Sequence, residues 1–237
     1  MKNFKKEKLL IIAPHPDDEV VGCGGLISKV KEDGGKVFVL FLTVGETLDY
    51  RQGKRRVSTE SERLKEIERV AKFLKFDDYY IAFPGNEHHL RLDLMPQKEL
   101  IETIENGKVS LNKSKPTIVT VAAQDSYNQD HRAAASATFA ATRPMPAKFK
   151  HLVRMVLSYE EPQDDWRFSE KTSPNFFVAL SQKNLNSKVQ SLKFYQSQYR
   201  DGSHLRSPQT IKSLAALRGS QAGVEFAEAF YLYRLLT

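Results

Sequence analysis

A histidine and three consecutive acids follow an apolar run near the start of the chain. The run Leu9–Ala13 is followed closely by His15, Asp17, Asp18 and Glu19. Acids this close repel one another, and a cation is the simplest way to hold them at the end of a buried strand. His15 and Asp18 are ligand types that suit a zinc-type ion, which leaves Asp17 free for proton transfer.

A second polar cluster, Gln124–His131, follows a later apolar segment. His131 stands at the start of a predicted helix, where it can face the same pocket as His15. Two histidines and a carboxylate leave coordination positions open for water and substrate. The predicted cofactor is therefore Zn²⁺, although the same ligands also accept Fe²⁺ or another divalent ion.

Strand and helix patterns alternate along the chain. This alternation predicts an α/β fold, a Rossmann-like three-layer sandwich with a mostly parallel sheet and an irregular C-terminal part. Ligands of such sheets bind beyond the carboxyl ends of the strands, where both polar clusters fall. The predicted strands are Lys8–Ala13, Val37–Thr43, Tyr79–Phe83, Thr117–Val121 and His151–Ser158; the predicted helices are Ser58–Leu74, Gln97–Asn106, Ala133–Thr142 and Gly223–Leu236, with a turn at Gly22–Gly25.

Composition narrows the class of protein. With 237 residues, 41% hydrophobic and 27% charged, the chain can bury one core, so we expect a single domain over residues 1–237. The net charge of +7 is not gathered with aromatic residues in one stripe, which argues against nucleic-acid binding.

A single cysteine, Cys23, fits a reducing compartment. No apolar run approaches the roughly 18 residues of a membrane span, so we expect a cytoplasmic protein, and a homo-oligomer is compatible with the sequence.

Several of these stretches are similar to one known family. Pro14–Glu19, the glycines of Gly22–Gly25 and the later Asn128–Arg132 resemble the LmbE/PIG-L zinc-dependent N-deacetylases. Lys193–Gln198 and Arg218–Phe230 resemble a bacterial branch of that family. The resemblance implies removal of acetyl from an N-acetyl amino sugar, such as N-acetylglucosamine, or from its conjugates.

The resemblance also implies residue roles. His15, Asp18 and His131 match the metal ligands of the family, and Asp17 matches its general base. Zinc lowers the pKa of bound water to about 7. Asp17 would then take a proton from this water and hand it to the leaving amine.

One position departs from the family pattern. Well-studied members carry a histidine three residues before the last metal ligand, and here that residue is Asn128. Asparagine donates a hydrogen bond but neither titrates nor carries charge. Three readings stay open: Asn128 is a neutral donor to the oxyanion, another group takes that role, or the substrate differs.

Other side chains have both a functional and a structural interpretation. Asp130 is either a partner of a metal ligand or an acid at a helix start. The basic cluster Arg51–Arg56 is either a clamp for a phosphate or carboxylate of the substrate or a basic surface loop. Arg63, in the next helix, is either a pocket residue or a surface residue. His88 and His89 follow the third strand and are either loop residues or the missing acid.

Two rival functions remain on the sequence alone. One is a metal-dependent amidase of the same fold that acts on a non-sugar amide, for which Asn128 is the motive. The other is a non-enzymatic protein that binds an acidic ligand at its basic edge. The intact set of predicted ligands and Asp17 favours the enzyme.

Overall fold

The polar clusters of the sequence lie at one edge of a β-sheet. The computed structural model describes residues 4–49, 56–166 and 173–237. The strands in these ranges are β1 (Lys8–Ala13), β2 (Lys36–Val44), β3 (Thr47–Asp49), β4 (Arg56–Ser58), β5 (Asp78–Pro84), β6 (Ile118–Val121), β7 (Met155–Tyr159), β8 (Phe176–Leu180) and β9 (Phe226–Leu235).

Helices cover both faces of this sheet. The helix predicted over Ser58–Leu74 begins at Glu60, because Thr59 forms a capping box with Glu62. The α-helices of the described ranges are α1 (Asp18–Glu32), α2 (Glu60–Leu74), α3 (Gln97–Asn106), α4 (Leu111–Ser114), α5 (Gln129–Ala141), α6 (Gln182–Leu192) and α7 (Pro208–Ala222).

The main sheet is mostly parallel. Within the described residues it has seven strands in the order β5-β2-β1-β6-β7-β9-β8, and β3 pairs with β4 in a separate two-stranded sheet. The first five strands of that order are parallel, whereas β9 is antiparallel to both of its neighbours. This topology confirms the predicted α/β class, and it brings the carboxyl ends of β1 and β6 to the same edge.

Strand β1 is buried on both faces. Leu9 and Ile11 pack into a core that includes residues of α1, α2 and α6, whereas Leu10 and Ile12 pack into a core with α3 and α5. Both faces of a parallel sheet are covered by helices, so the strand is a continuous apolar run rather than an alternating one. The first polar residues after the strand therefore emerge beside a desolvated interior.

The turn predicted at Gly22–Gly25 is wrong. These residues belong to α1, which is helical from Asp18 to Glu32. A Cβ atom on Gly22 would lie 2.3 Å from Tyr159 Cδ2, and one on Gly25 would lie 2.5 Å from Leu180 Cδ1. The glycines therefore allow α1 to approach its neighbours closely instead of turning the chain.

The helix predicted over Gly223–Leu236 is also wrong. Gly223 has a φ of 71° and caps the end of α7, and Phe226–Leu235 then form β9. The alanines and Glu228 of this stretch favour a helix locally, but its aromatic residues suit a strand that is paired on both sides. The C-terminal part is consequently regular, because β9 connects β8 to the parallel strands.

Glu228 joins β9 to the middle of α1. Its carboxylate oxygens accept the backbone N–H groups of Gly25 at 2.7 Å and Leu26 at 2.6 Å. Lys188 of α6 donates to the same carboxylate at 2.7 Å, and both charged side chains are buried. The helix that begins with Asp18 is thereby tied to the far side of the sheet. No helix of the described ranges is long and apolar enough to cross a membrane.

We predict that Glu228→Gln lowers the free energy of unfolding by about 3 kcal/mol, because it leaves the Lys188 ammonium buried without its charge partner. Urea denaturation followed by circular dichroism measures this change. The matched control is Glu225→Gln, since Glu225 is exposed. Equal stability of the two variants would contradict the role given to Glu228.

Candidate active site

Three buried side chains meet at the carboxyl edge of the sheet. His15 lies in the loop after β1, Asp18 is the first residue of α1, and His131 lies in the first turn of α5. One possible ligand atom from each lies within 4.8 Å of the others. The sheet topology thus brings together two sequence clusters that are more than a hundred positions apart.

The spacing of these atoms fits a small cation. Asp18 Oδ2 lies 3.3 Å from His15 Nδ1 and 3.3 Å from His131 Nε2. Ligands about 3.3 Å apart are expected in a tetrahedral site with bonds of about 2.0–2.1 Å. Imidazole and carboxylate donors suit Zn²⁺ or another divalent transition metal.

Orphaned polar atoms point to the same conclusion. Asp18 Oδ1 and both ring nitrogens of His131 are fully buried and make no hydrogen bond within the described residues. Burying such atoms without partners costs free energy, and a bound cation would satisfy them. The residues present therefore fit a divalent metal ion.

Asp130 orients His15. The Nε2–H group of His15 donates to Asp130 Oδ2 at 2.9 Å, and the other oxygen of Asp130 accepts the backbone N–H of Leu92 at 3.0 Å. Burial alone would lower the pKa of His15, but hydrogen bonds to Asp130 and Asp18 outweigh it and raise the pKa to about 9. The acids around His15 thus favour positive charge at this position, and the second ring nitrogen is aimed at Asp18.

Asp17 has a strained backbone that turns its side chain away from the helix end. Its φ of 112° lies in the left-handed region, and its side chain does not cap α1. The backbone N–H of Asp17 donates to Glu19 Oε2 at 3.1 Å, and Tyr195 Oη donates to the other oxygen of Glu19 at 2.6 Å. A strained residue held by neighbouring groups in this way is typical of active sites. Glu19 is therefore a structural acid here.

Burial raises the pKa of Asp17 to about 6. The positive charge of Arg206 opposes this rise, and the negative charge of Asp18 adds to it. Arg206 Nη1 lies 3.1 Å from Asp17 Oδ2. A carboxylate with this pKa gains and loses a proton near neutral pH, as a general base requires.

Arg206 was missed by the sequence analysis. It lies 189 positions after Asp17 in the sequence, in the loop before α7, and no motif spacing connects the two residues. Only the packing of the C-terminal loop against the sheet edge brings the two together.

Lys193–Gln198, one of the two stretches that resemble a bacterial branch of the family, holds this loop in place. Ser197 donates its backbone N–H and its hydroxyl to the buried carboxylate of Glu66 in α2, at 2.8 and 2.6 Å. Gln198 Oε1 accepts a hydrogen bond from Arg206 Nη1 at 2.7 Å. The hydroxyl of Tyr195 donates to Glu19, the acid that accepts the backbone N–H of Asp17. The stretch Lys193–Gln198 therefore helps to position both Arg206 and Asp17.

Arg63 is buried beneath the cluster rather than exposed on the surface of α2. It donates to the carbonyl oxygens of Gly45 at 2.9 Å and Pro16 at 3.4 Å, and to His89 Nε2 at 3.0 Å. Burial, reinforced by the charge of Arg63, lowers the pKa of His89 to about 3. His89 is therefore held in its neutral form, and its Nδ1–H group donates to the hydroxyl oxygen of Thr43.

The structure does not place Arg56 in the buried cluster. Its side chain is half-exposed and pairs with Glu62 at the start of α2. The other positions of the basic cluster, 51–55, lie outside the described residues.

Asn128 is the N-cap of α5. Its side-chain oxygen accepts the backbone N–H of Asp130 at 2.9 Å, which is why the helix begins at Gln129 rather than at the predicted Ala133. The cap uses the oxygen, so the amide nitrogen is the only side-chain donor that Asn128 offers to a ligand.

The fold and these residues belong to a recognised family. The family model PIG-L, described as GlcNAc-PI de-N-acetylase, matches residues 10–142. The chain therefore belongs to the PIG-L family of deacetylases, as its resemblance in sequence predicted. The matched segment contains the predicted ligands and Asp17, whereas Arg206 lies beyond it.

Individual relatives are distant. The uncharacterized deacetylase YaiS of Escherichia coli strain K12 is 24% identical over 196 residues, covering 81% of this chain and 92% of YaiS. The N,N′-diacetylchitobiose deacetylase of Pyrococcus horikoshii is 20% identical, with a TM-score of 0.65 over 95% of this chain and 83% of its own. The 4-carboxy-2-hydroxymuconate hydratase GalB of Pseudomonas putida KT2440 is 19% identical, with a TM-score of 0.73 over 98% of each chain. At these identities the solved structures establish a shared fold.

We predict that Asn128→Ala lowers the free energy of unfolding by about 1 kcal/mol, because it removes the cap of α5. Asn128→Asp keeps the cap oxygen but loses the amide donor, so it should retain most of the stability. Thermal unfolding of both variants measures the cap, and turnover by Asn128→Asp measures the donor. If Asn128→Ala were as stable as the unchanged protein, the cap assignment would be wrong.

Proposed function

We propose that this protein is a metal-dependent N-deacetylase that hydrolyses the acetyl amide of an amino sugar or sugar conjugate. The observation that carries the proposal is the buried set of His15, Asp18 and His131, with unsatisfied ligand atoms, beside the titratable carboxylate of Asp17. Family membership adds the reaction class, since the family model is described as a de-N-acetylase.

A sugar substrate is supported by the relatives. The family description names a GlcNAc conjugate, and the similar fold from Pyrococcus horikoshii belongs to a deacetylase of diacetylchitobiose. We extend this substrate class to the present chain. Zn²⁺ is the proposed ion, and Fe²⁺ is the alternative that the same ligands accept.

Asp17 carries the proton through the reaction. It accepts a proton from water as the water oxygen bonds to the acyl carbon, and it returns that proton to the nitrogen as the C–N bond breaks. The products are acetate and a free amine. His15, Asp18 and His131 would hold a divalent cation, which when bound would supply Lewis acidity toward the water and the acyl oxygen.

Other groups of the chain prepare this transfer. Asp130 fixes the ring of His15, and Glu19 fixes the backbone of Asp17. Arg206 supports the ionised form of Asp17, which must exist before the proton is accepted.

A second candidate is a hydrolase or related enzyme that acts on a non-sugar substrate. The specific observation in its favour is Asn128, which replaces the histidine of well-studied family members. A hydratase shares this fold, so the fold alone does not determine the reaction.

We predict that Asp17→Asn keeps the bound metal but lowers kcat at least 100-fold, because an amide does not accept the proton. Metal content is measured on the purified variant by atomic emission, and turnover by acetate release. Glu68→Gln, on the exposed face of α2, is the control for an acid far from the cluster. Turnover that survives in Asp17→Asn would show that Asp17 is not the base.

We also predict that chelation abolishes acetate release and that added Zn²⁺ restores it, because the buried ligands would hold the ion whose Lewis acidity the hydrolysis needs. The substrates are free N-acetylglucosamine and its nucleotide-, lipid- and polyol-linked forms, with the metal content measured on the same sample. A metal-loaded protein that released no acetate from any of them would move the proposal to a non-sugar substrate.

A further inference from the structure

Amide hydrolysis places a negative charge on the acyl oxygen of the substrate. In the proposed reaction the water oxygen bonds to the acyl carbon, one electron pair of the C=O bond moves to the acyl oxygen, and the water proton goes to Asp17. Donors aimed at such an oxygen supply a large part of the rate acceleration of many enzymes. Asn128 is neutral, and its side-chain oxygen is used in the cap of α5. It therefore brings no positive charge to the acyl oxygen.

Two of the positive groups beside Asp17 are engaged with the protein. Within the described ranges, the positive charges that lower the pKa of Asp17 most are those of Arg206, Arg63 and His15. His15 is a proposed ligand and donates to Asp130. Both Nη groups of Arg63 donate to the protein, and its Nε group is fully buried. Neither side chain is therefore placed to donate to a substrate.

Arg206 has donors that no protein group uses. Its Nη1 group donates to Gln198 Oε1 at 2.7 Å and lies 3.1 Å from Asp17 Oδ2. The second contact is an ion pair without hydrogen-bond alignment, because Asp17 Oδ2 is fully buried and has no hydrogen-bond partner in the described part of the chain. Across the same residues the Nε and Nη2 groups of Arg206 have no acceptor, and neither is fully buried. Both groups are available to a ligand.

Arg206 contacts the buried base on one side and a cavity on the other. The cavity has a volume of about 240 Å³, and Arg206 forms part of its wall together with Gln163 and Gln198. Asp17 is only 1% exposed and does not line the cavity. An acyl group that approaches Asp17 from this cavity therefore meets the guanidinium of Arg206 first.

The charge of Arg206 is constant, whereas its anionic partner changes during the reaction. Burial lowers the pKa of Arg206, but the negative charges of Asp17, Asp18 and Glu161 outweigh it and raise the pKa above its ordinary value, so the guanidinium stays protonated. When Asp17 accepts the water proton it becomes neutral, and in the same step a negative charge forms on the acyl oxygen. The acyl oxygen can then replace the carboxylate as the partner of the guanidinium, which avoids a buried unpaired charge.

We propose that Arg206 is a catalytic residue, which donates a hydrogen bond from its Nε or Nη2 group to the acyl oxygen as that oxygen becomes negative. It takes the role of the histidine that well-studied family members carry, whereas Asn128 caps a helix. The inference rests on the proposed amide hydrolysis and adds a residue to it. Arg206 lies beyond the stretch that the family model matches, so this donor comes from a different part of the chain.

A tetrahedral analogue tests this assignment without turnover. The analogue is N-acetylglucosamine with a methylphosphonyl group in place of the acetyl group, and glucosamine is the matched ligand that lacks the acyl oxygen. In calorimetric titrations of the metal-loaded protein, Arg206→Gln should weaken binding of the analogue about 100-fold and binding of glucosamine by less than about threefold. Arg206→Lys should restore part of the loss, because it keeps a positive charge. Equal losses for the two ligands would overturn the proposal.

A second background separates direct contact from an effect through the base. Asp17→Asn places a neutral amide where the protonated carboxyl would stand, so it should bind the analogue at least as tightly as the unchanged protein. Adding Arg206→Gln to this variant should again weaken binding of the analogue about 100-fold. If the dependence on Arg206 disappeared in the Asp17→Asn background, Arg206 would act only through Asp17 and the proposal would be wrong.

Two control variants locate the donor. Asn128→Ala removes the other candidate donor, and Arg69→Gln removes a positive charge from an exposed position of α2. Each should change binding of the analogue by less than about threefold, since neither removes the charged donor. Thermal unfolding of every variant separates loss of binding from loss of folding. A loss in folded Asn128→Ala that equals the loss in Arg206→Gln would assign the role to Asn128 and contradict the proposal.

A probe without a sugar separates this inference from the proposed function. Methylphosphonate has a tetrahedral anionic centre, and its titration requires neither turnover nor a particular substrate. Arg206→Gln should weaken its binding to the metal-loaded protein about tenfold. That loss, in a protein that releases no acetate from any amino sugar, would support Arg206 as the donor while the deacetylase function fails. Binding of methylphosphonate that is unchanged in Arg206→Gln would overturn the inference and leave the deacetylase function intact.

Discussion

The dominant physical constraint in this protein is the burial of acidic side chains at the end of a central strand. Asp17, Asp18 and Glu19 are all nearly inaccessible to solvent, and β1 leads them directly out of the sheet core. Buried carboxylates are stable only where hydrogen bonds or positive charges compensate them. The surrounding structure supplies that compensation differently for each acid, so three adjacent acids have three different electrostatic environments.

Each acid has its own partner. Asp18 faces two histidines, Asp17 faces Arg206, and Glu19 accepts hydrogen bonds from a backbone amide and a tyrosine hydroxyl. Histidine pairing lowers the pKa of Asp18 well below its usual range despite burial, whereas burial raises the pKa of Glu19 to about 8. One acid is thus suited to hold a cation, one to exchange protons and one to support the backbone.

The C-terminal third of the chain completes the site. Strand β9 ties α1 to the sheet through Glu228, and the loop between α6 and α7 carries Arg206 to Asp17. These segments lie outside the stretch that the family model matches. The matched stretch therefore contains the proposed ligands and base, whereas Arg206, which contacts that base, comes from the segment after it.

Local sequence was sufficient to predict β1, the parallel sheet and the cluster after β1. A continuous apolar run is typical of a buried parallel strand, and few arrangements other than a bound cation stabilise His15 and Asp18 directly after it. The position of His131 followed from the rule that strand ends share one edge. The strand β9 was missed because alanine and glutamate favour a helix until two neighbouring strands pair with the segment. Arg206 could not be assigned from sequence, since its charge meets Asp17 only after a long loop packs against the sheet. Spacing along the chain carries information about contacts within an element and at shared strand ends, whereas a contact across a loop depends on the packed tertiary structure.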